Sequence, residues 1–381
     1  MDKQQVCKRC ILDSSVPSVT FDVQGICNHC RLHDKLEKKY AINATNEKKF
    51  KQLLETIKRK GRNNKYDCIV GLSGGIDSTY CLYMAKQLGL RPLAFHYGNA
   101  WCTDIARKNI EKAIGKLGVD LEIIEPPWEE VKKFHKACLK ASIPETCLPC
   151  EVGGVSAMYK IAEKYNVKYI ILGTSFKTEG INPLRWHYVD GTYFNDIMKK
   201  FGELNAQTKD FNNLTITGLF KNIILKGIKT IQLPLYIEYK EENIKAVLKK
   251  ELDWEYGGRV HFDCSYKPFG GYLEKQKFGR DPSKISLSAL VRSGELTRKE
   301  ALEKIHAEES RPIPQKEINF CLERLSISPD EFQSILKEPP KTFLDYTTSY
   351  SLISKLRVPL KVCSKLKLLP ETLYEKFFSV V

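Results

Sequence analysis

The sequence is poor in the features that mark membrane, secreted and hydrolytic proteins. No apolar run approaches the roughly 20 residues needed to cross a bilayer, so no membrane association is expected. The opening Met1-Asp-Lys-Gln-Gln-Val-Cys7 lacks the apolar core of a signal sequence, and a cytoplasmic location follows as an expectation. Histidine is scarce, with seven residues, and none forms a His-Glu-x-x-His pair; neither a Ser-His-Asp set nor a catalytic carboxylate pair is evident. Internal repeats and low-complexity tracts are absent. What remains is a 381-residue chain, 42% hydrophobic and 28% charged, long enough for two or three domains with real cores.

Acidic residues are in deficit, and the net charge is +15. Residues 31–65 carry 12 Lys/Arg against 4 Asp/Glu, a local excess of +8. Leu36, Tyr40, Phe50, Leu53, Leu54 and Ile57 recur there at helical intervals. The stretch therefore reads either as a solvated amphipathic helix or as a surface for phosphates, nucleic acid or an acidic partner.

Thirteen cysteines in such a chain point to reduced thiols and metal ligands. Cys7-Lys-Arg-Cys10 and Cys27-Asn-His-Cys30 are C-x-x-C knuckles sixteen residues apart, the spacing of a structural four-cysteine Zn²⁺ site. His29 or His33 could replace one thiolate, but four cysteines is the simpler set. A further pair, Cys147-Leu-Pro-Cys150, precedes a helix-like stretch. With the distant Cys264 it forms a second candidate ligand set, although it could equally be a redox couple or unreacted thiols.

From Tyr66 onward, strand and helix patterns alternate. Strands are predicted at 66–72, 91–96, 120–125 and 167–172, and helices at 79–88, 104–117, 128–141 and 151–165. Such alternation implies an α/β fold, a parallel sheet wrapped by helices with its ligand at the carboxyl ends of the strands. The first strand runs into Ser73-Gly74-Gly75-Ile76-Asp77-Ser78. Adjacent glycines let backbone N–H groups crowd an anion, a following helix adds its positive end, and Ser73 and Ser78 supply hydroxyls. This is a pyrophosphate cradle of a type distinct from the Walker loop, because no Gly-Lys-Ser/Thr follows. Three strand ends converge there, giving a layout for ATP. Backbone near Leu93–Phe95 would meet adenine, Gly98 and Asn99 the ribose, Gly173 and Thr174 the α-phosphate, and Asp77 would hold Mg²⁺.

The loop Thr178–Tyr188 mixes polar, aromatic and turn residues and reads as a substrate lip, offering Thr178, Glu179 and Trp186. His261 and Arg280 are later candidates for substrate contact, or are loop-bracing polar residues. Residues 285–307 read as two short helices, the second capped by Thr297, and 312–381 as proline-broken helices. The expected organisation is 1–40 zinc-binding module, 41–64 basic helical linker, 65–245 nucleotide domain and 246–381 mostly helical region.

The Ser73–Ser78 segment resembles the PP-loop of ATP pyrophosphatases of the adenine nucleotide alpha-hydrolase type. More of the chain resembles the N-acetyl sugar amidotransferases of bacterial surface-glycan biosynthesis. The two knuckles carry that resemblance, with the Thr103–Ile110 helix start, Gly173-Thr174, Thr178–Ile181, Lys199–Gly202, Lys277–Asp281 and Ser293–Ala301. Departures fall at Gly98, where an aspartate is expected, and at His261-Phe-Asp263-Cys264 in place of His-x-Glu-Ser. The resemblance implies an enzyme that uses ATP, Mg²⁺ and Zn²⁺ to turn the acetamido group of an N-acetylated sugar into an acetamidino group. Ser73, Asp77 and Ser78 would serve catalysis, and ammonia would come from a separate glutaminase subunit with a barrel-type companion. The rival is a tRNA thiolase, in which Cys147, Cys150 and Cys264 would hold an iron–sulfur cluster and the basic 31–65 stretch would face RNA.

Overall fold

A computed structural model describes residues 5–202, 213–259, 261–366 and 368–379. At its centre is a five-stranded, wholly parallel sheet of order β3-β2-β1-β4-β5, formed by β1 (Cys68–Gly71), β2 (Pro92–Tyr97), β3 (Leu121–Ile124), β4 (Tyr169–Leu172) and β5 (Lys229–Gln232). The four predicted strands are present. The fifth is an edge strand of four residues, Lys-Thr-Ile-Gln, with only Ile231 buried, too polar to stand out in the sequence. Strand order reverses direction between β1 and β4, so the loops leaving these two strands part and open a crevice at their carboxyl ends.

Helices α1 (Asn28–Lys39) and α2 (Ala44–Gly61) precede the sheet. Asn43 caps α2, its side chain accepting from the Asn46 N–H, and Phe50, Leu54 and Ile57 bury one face against the β1 and α3 side chains. The basic stretch is thus carried by two amphipathic helices that bury Leu36, Phe50, Leu54 and Ile57. Helices α3 (Ile76–Gln87), α4 (Asp104–Leu117), α5 (Trp128–Lys140) and α6 (Leu148–Lys164) connect the strands. Thr103 caps α4, and Gly118 ends it at φ +57°, a left-handed backbone that glycine adopts without a Cβ penalty.

Beyond β4 lie α7 (Gly191–Phe201), α8 (Ile216–Phe220) and α9 (Glu241–Leu252). Helix α9 packs on α3 and α4 through Ile244, Leu248 and Leu252. The expected boundary at 245 falls within this helix. The rest is helical, as expected: α10 (Lys267–Gln276), α11 (Ser283–Arg292), α12 (Arg298–Glu309), α13 (Gln315–Leu325), α14 (Pro329–Lys337), α15 (Tyr350–Lys355), α16 (Arg357–Lys365) and α17 (Glu371–Phe378). Thr297 and Glu300 form a capping box at the start of α12. No helix among the described residues is long and apolar enough to cross a membrane.

Candidate active site

The Gly-Gly loop sits at the reversal point, between β1 and α3. Gly74 has φ +83°, and a Cβ there would lie 2.3 Å from the Ala106 carbonyl oxygen, so only glycine fits. Its own carbonyl accepts from Trp254 Nε1 at 3.0 Å and Asn109 Nδ2 at 3.3 Å. These donors hold the oxygen away from the space that the loop encloses. Ser73 N–H donates to Ser78 Oγ at 3.1 Å, and the two serine hydroxyls lie 3.0 Å apart. The first N–H groups of α3 have no partner within the helix. Gly75 N–H donates to Ser73 Oγ at 3.3 Å, so the two hydroxyls are held beside the free N–H groups of the helix start, a combination that suits an anion.

Carboxylates surround this nest. Tyr239 OH donates to Asp77 Oδ1. Burial, then the charges of Glu241 and Asp263, push the Asp77 carboxyl up to about 6, against the Tyr239 bond. Asp263 Oδ2 is 3.3 Å from where a Gly75 Cβ would stand, so this side chain lies directly on the loop. Burial and Asp77 push Glu179 up to about 8, opposed by Lys267. Loss of solvation and Lys267 hold His261 down to about 4, with Asp263 opposing. Such a carboxylate ring would repel a bare polyphosphate, but it is the oxygen-donor set that suits a hard divalent cation. Asp77 and Asp263 could hold Mg²⁺ there, with Lys267 as the facing cation. Sequence reasoning placed Asp77 but missed Trp254 and Tyr239, which reach the loop from distant segments, and Lys267, whose charge acts on Glu179.

Several expected contacts are corrected. Phe95 is buried in the core beside Ile69 and Ala157, and its carbonyl accepts from Leu72 N–H at 2.8 Å, so neither group is free for adenine. Gly98 is buried under Glu125, whose Cγ would be 2.2 Å from an added Cβ. Asn99 Oδ1 accepts from the Trp101 N–H at 3.0 Å. Gly173 spends its close approach on the loop helix, where a Cβ would lie 2.8 Å from the Asp77 carbonyl carbon. Thr174, exposed at the end of β4, accepts from Gln232 Nε2. Trp186 is no substrate lip, because it is buried among Leu12, Val16, Ile285 and the four knuckle cysteines. Arg280 is buried too, donating to the Pro144 carbonyl at 3.1 Å and to Glu274 at 3.2 Å, and so braces loops. Thr178 and Glu179 stay at the crevice, and water reaches His261.

Cys7, Cys10, Cys27 and Cys30 are buried, with their sulfurs all within 4.8 Å of one another. Cys7–Cys30 and Cys10–Cys27 are 3.9 and 3.6 Å apart. A tetrahedral ion with bonds of about 2.3 Å needs sulfur–sulfur edges of about 3.8 Å, so the set fits a metal. Backbone N–H groups of Arg9 and Cys27 point at Cys7 Sγ, as outer-sphere donors would. His29 and His33 are buried beside the cluster but outside it.

Cys147, Cys150 and Cys264 do not form such a group; among the described residues only the four-cysteine set of the two knuckles does. Cys150 Sγ is turned to His135 Nε2 at 3.5 Å, and Cys264 is held by its β-bridge to Cys102. Burial raises the Cys147 and Cys150 thiols.

The metal module and the C-terminal helices meet on the loop after β4. Phe176 contacts the His33 ring of α1 at 5.2 Å, and Ser293 Oγ donates to the Lys177 carbonyl at 2.7 Å. Gly180, at φ +75°, lies against Ile285 of α11. Arg298 of α12 donates to the carbonyls of Cys10 and Cys7. Glu179 is thereby presented to the crevice by a loop clamped from both sides.

A parallel sheet of this order, with Ser-Gly-Gly-Ile-Asp-Ser between its first strand and helix, defines a PP-loop-type α/β protein with a cysteine-cluster module and a helical C-terminal region. Residues 258–357 match the family model described as LPS biosynthesis protein WbpG-like, C-terminal domain. That segment includes Lys277–Asp281 and Ser293–Ala301, which carried the sequence resemblance. Along most of its length the chain is similar to "Uncharacterized protein MJ1599" of Methanocaldococcus jannaschii, at 24% identity over 323 residues, covering 84% of this chain and 98% of that one. Among solved structures, NMN synthetase from Francisella tularensis covers 70% of this chain and 97% of its own, at 14% identity and TM-score 0.27. NH3-dependent NAD synthetase from Campylobacter jejuni covers the same shares at 16% identity and TM-score 0.26. TM-scores this low carry no functional weight.

Proposed function

We propose that the chain is an ATP-dependent, AMP-forming amidotransferase of surface-glycan biosynthesis that converts a sugar acetamido group to an acetamidino group. The single observation that supports this most is the Ser73–Ser78 anion nest, ringed by carboxylates, in a chain whose 258–357 segment matches a WbpG-like domain. In this reading the acetamido oxygen attacks the α-phosphorus of ATP, and pyrophosphate leaves into the nest. Ammonia then adds to the imidate carbon, AMP departs with the oxygen, and loss of a proton leaves the amidine. Asp77 and Asp263 would hold Mg²⁺, which offsets phosphate charge; Lys267 would face the negative charge that develops. The clamped 175–181 loop excludes water from the reactive imidate. Zn²⁺ on the four cysteines would be structural, because four protein ligands leave no open position. Ammonia would come from a separate glutaminase subunit. The rival tRNA thiolase would gather Cys147, Cys150 and Cys264 on an iron–sulfur cluster; the three border one core cluster without the close sulfur spacing of a single-ion site, and iron content of the purified protein tests it.

The test is release of AMP and pyrophosphate from ATP by purified protein, with ammonium and a panel of N-acetylated sugars. The expected result is AMP release that requires both co-substrates and falls about 10²-fold or more in Ser73→Ala, as for removal of a preorganised donor. AMP release that is indifferent to sugar, or absent with every acetamido compound, would sink the proposal.

A further inference from the structure

Two partly exposed cysteines face each other across the segments that flank the phosphate loop. Cys102 lies between β2 and α4, just before the Thr103 cap, and Cys264 lies between α9 and α10; the two form an isolated antiparallel bridge. The hydrogen bonds of that bridge run between their neighbours. Thr103 N–H donates to the Asp263 carbonyl at 3.2 Å, and Ser265 N–H donates to the Trp101 carbonyl at 2.8 Å. Thr103 Oγ1 on the Phe262 carbonyl, at 2.9 Å, and Ser265 Oγ on the Trp101 carbonyl, at 3.0 Å, reinforce them. The cysteines are therefore a non-hydrogen-bonded pair, the arrangement that brings facing Cα atoms to about 4.5 Å and side chains closest. Disulfides span Cα separations of roughly 4.4–6.8 Å, so the backbone pairing already meets that requirement. Cys102 Sγ is directed to the Thr103 carbonyl at 3.7 Å and must turn about χ1 to reach its partner. Cys68, Cys81, Cys138 and Cys321 are buried, whereas a reagent in water can meet this pair. Burial raises both thiols, so the pair oxidises slowly. The bridge also touches the phosphate loop from two sides. Asp263 Oδ2 is 3.3 Å from where a Gly75 Cβ would stand, and the Ala106 carbonyl oxygen of α4 is 2.3 Å from the same point on Gly74. Facing Cβ atoms about 4.5–5.5 Å apart must close to about 3.8 Å in a disulfide, which draws the Asp263 segment and the start of α4 together by roughly 1 Å.

We propose that Cys102 and Cys264 are a reversible redox site whose disulfide displaces Asp263 on the phosphate loop and weakens Mg²⁺-dependent nucleotide binding. The oxidant is a small-molecule disulfide such as glutathione disulfide. One protein thiolate displaces a glutathione thiolate to give a mixed disulfide, and the second protein thiolate then displaces the other glutathione. The two thiol protons end on the two released glutathiones. The nucleotide consequence rests on the crevice being the ATP site proposed above; the sulfur–sulfur bond does not. The experiment incubates Zn²⁺-loaded wild type, Cys102→Ser and Cys264→Ser with glutathione disulfide for hours, the timescale of uncatalysed exchange. Each is digested without reduction and mapped by mass spectrometry, and ATP binding is followed by calorimetry across a Mg²⁺ series. In wild type the peptides carrying Cys102 and Cys264 should appear joined, and both variants should lack the joined species. The Mg²⁺ concentration needed for ATP binding should rise about ten- to hundredfold on oxidation, as for a disturbed metal-ligand setting, and return after reduction with a phosphine. Cys102→Ser should show no such rise. No joined peptide, or one that links Cys147 to Cys150 or to Cys264 instead, would overturn the proposal. So would a Cys102–Cys264 bond that leaves the Mg²⁺ requirement unchanged, or iron absorbance that is lost in Cys264→Ser. Reduced protein that binds no ATP would overturn this inference and the amidotransferase reading together. The expected bond and Mg²⁺ shift in a protein that releases no AMP with any sugar would uphold this inference and refute that reading alone.

Discussion

Replacing Gly173 by alanine separates two explanations of that glycine. Its φ is not in the left-handed region, so alanine's backbone is allowed and only space is at issue. The new Cβ would stand 2.8 Å from the Asp77 carbonyl carbon, 2.9 Å from its Cβ and 3.0 Å from its oxygen. Carbon contacts settle at about 3.5–4.0 Å, so β4 and the first turn of α3 must part by roughly 0.6–1 Å. Overpacking of this kind costs about 1–3 kcal/mol. Because α3 carries Asp77 and Ser78, a shift near 1 Å should also lower AMP release by about 10²-fold. Gly115, inside α4 with nothing within 4 Å of an added Cβ, is the control; alanine there should stabilise by about 0.5–1 kcal/mol. Urea unfolding gives the stabilities, and single-turnover AMP release gives the rates. If Gly173 exists to admit the α-phosphate, Gly173→Ala would raise KM for ATP without loss of stability. That result would refute the reasoning.

Stripping Zn²⁺-loaded protein with a strong chelator should empty the Cys7, Cys10, Cys27 and Cys30 set and loosen α1 and, through the His33–Phe176 contact, the 175–181 loop. Trp186, packed against the cluster, reports the change by fluorescence. Unchanged emission and unchanged amide exchange in that loop would refute the coupling. Glu179 supplies a pH test. Its folded pKa, pushed up to about 8 by burial and Asp77, lies above the unfolded value of about 4.3. The folded state therefore holds the extra proton between those values, and stability should fall as pH rises through that window, by at most about 1.4 kcal/mol per pH unit. Glu179→Gln should remove the slope, matching wild type near pH 4 and exceeding it at pH 8. Parallel stability curves for the two proteins would refute the assignment.

Local signals were legible in the sequence because the chemistry they report is local. The strand into Ser73–Ser78, the Thr103 and Thr297 caps and the two knuckles each involve residues close in the chain, and the structure has all of them. The misread residues were decided by remote partners. Trp186 looked like a loop aromatic, but the cysteine cluster that buries it lies more than 150 residues upstream. Arg280 fitted a substrate contact or a loop brace equally well, and only the fold brings its Nη2 to the Pro144 carbonyl and Glu274. Phe95 was misassigned because a buried strand and a nucleotide-facing strand share one apolar pattern. Tyr239 and Lys267 carry no motif at all, and only the fold brings Tyr239 to Asp77 and lets the Lys267 charge act on Glu179.

The ion pair between Lys35 and Glu375 joins residues 340 positions apart. At 5–20 residues per second, a ribosome needs roughly 17–68 s to make the intervening chain. The cysteine module thus emerges tens of seconds ahead of the helix that pairs with it. For that interval Lys35 and Lys39 of α1 have no α17 carboxylates to meet, so the ion pairs that join α1 to α17 form only after translation has passed Glu371 and Glu375.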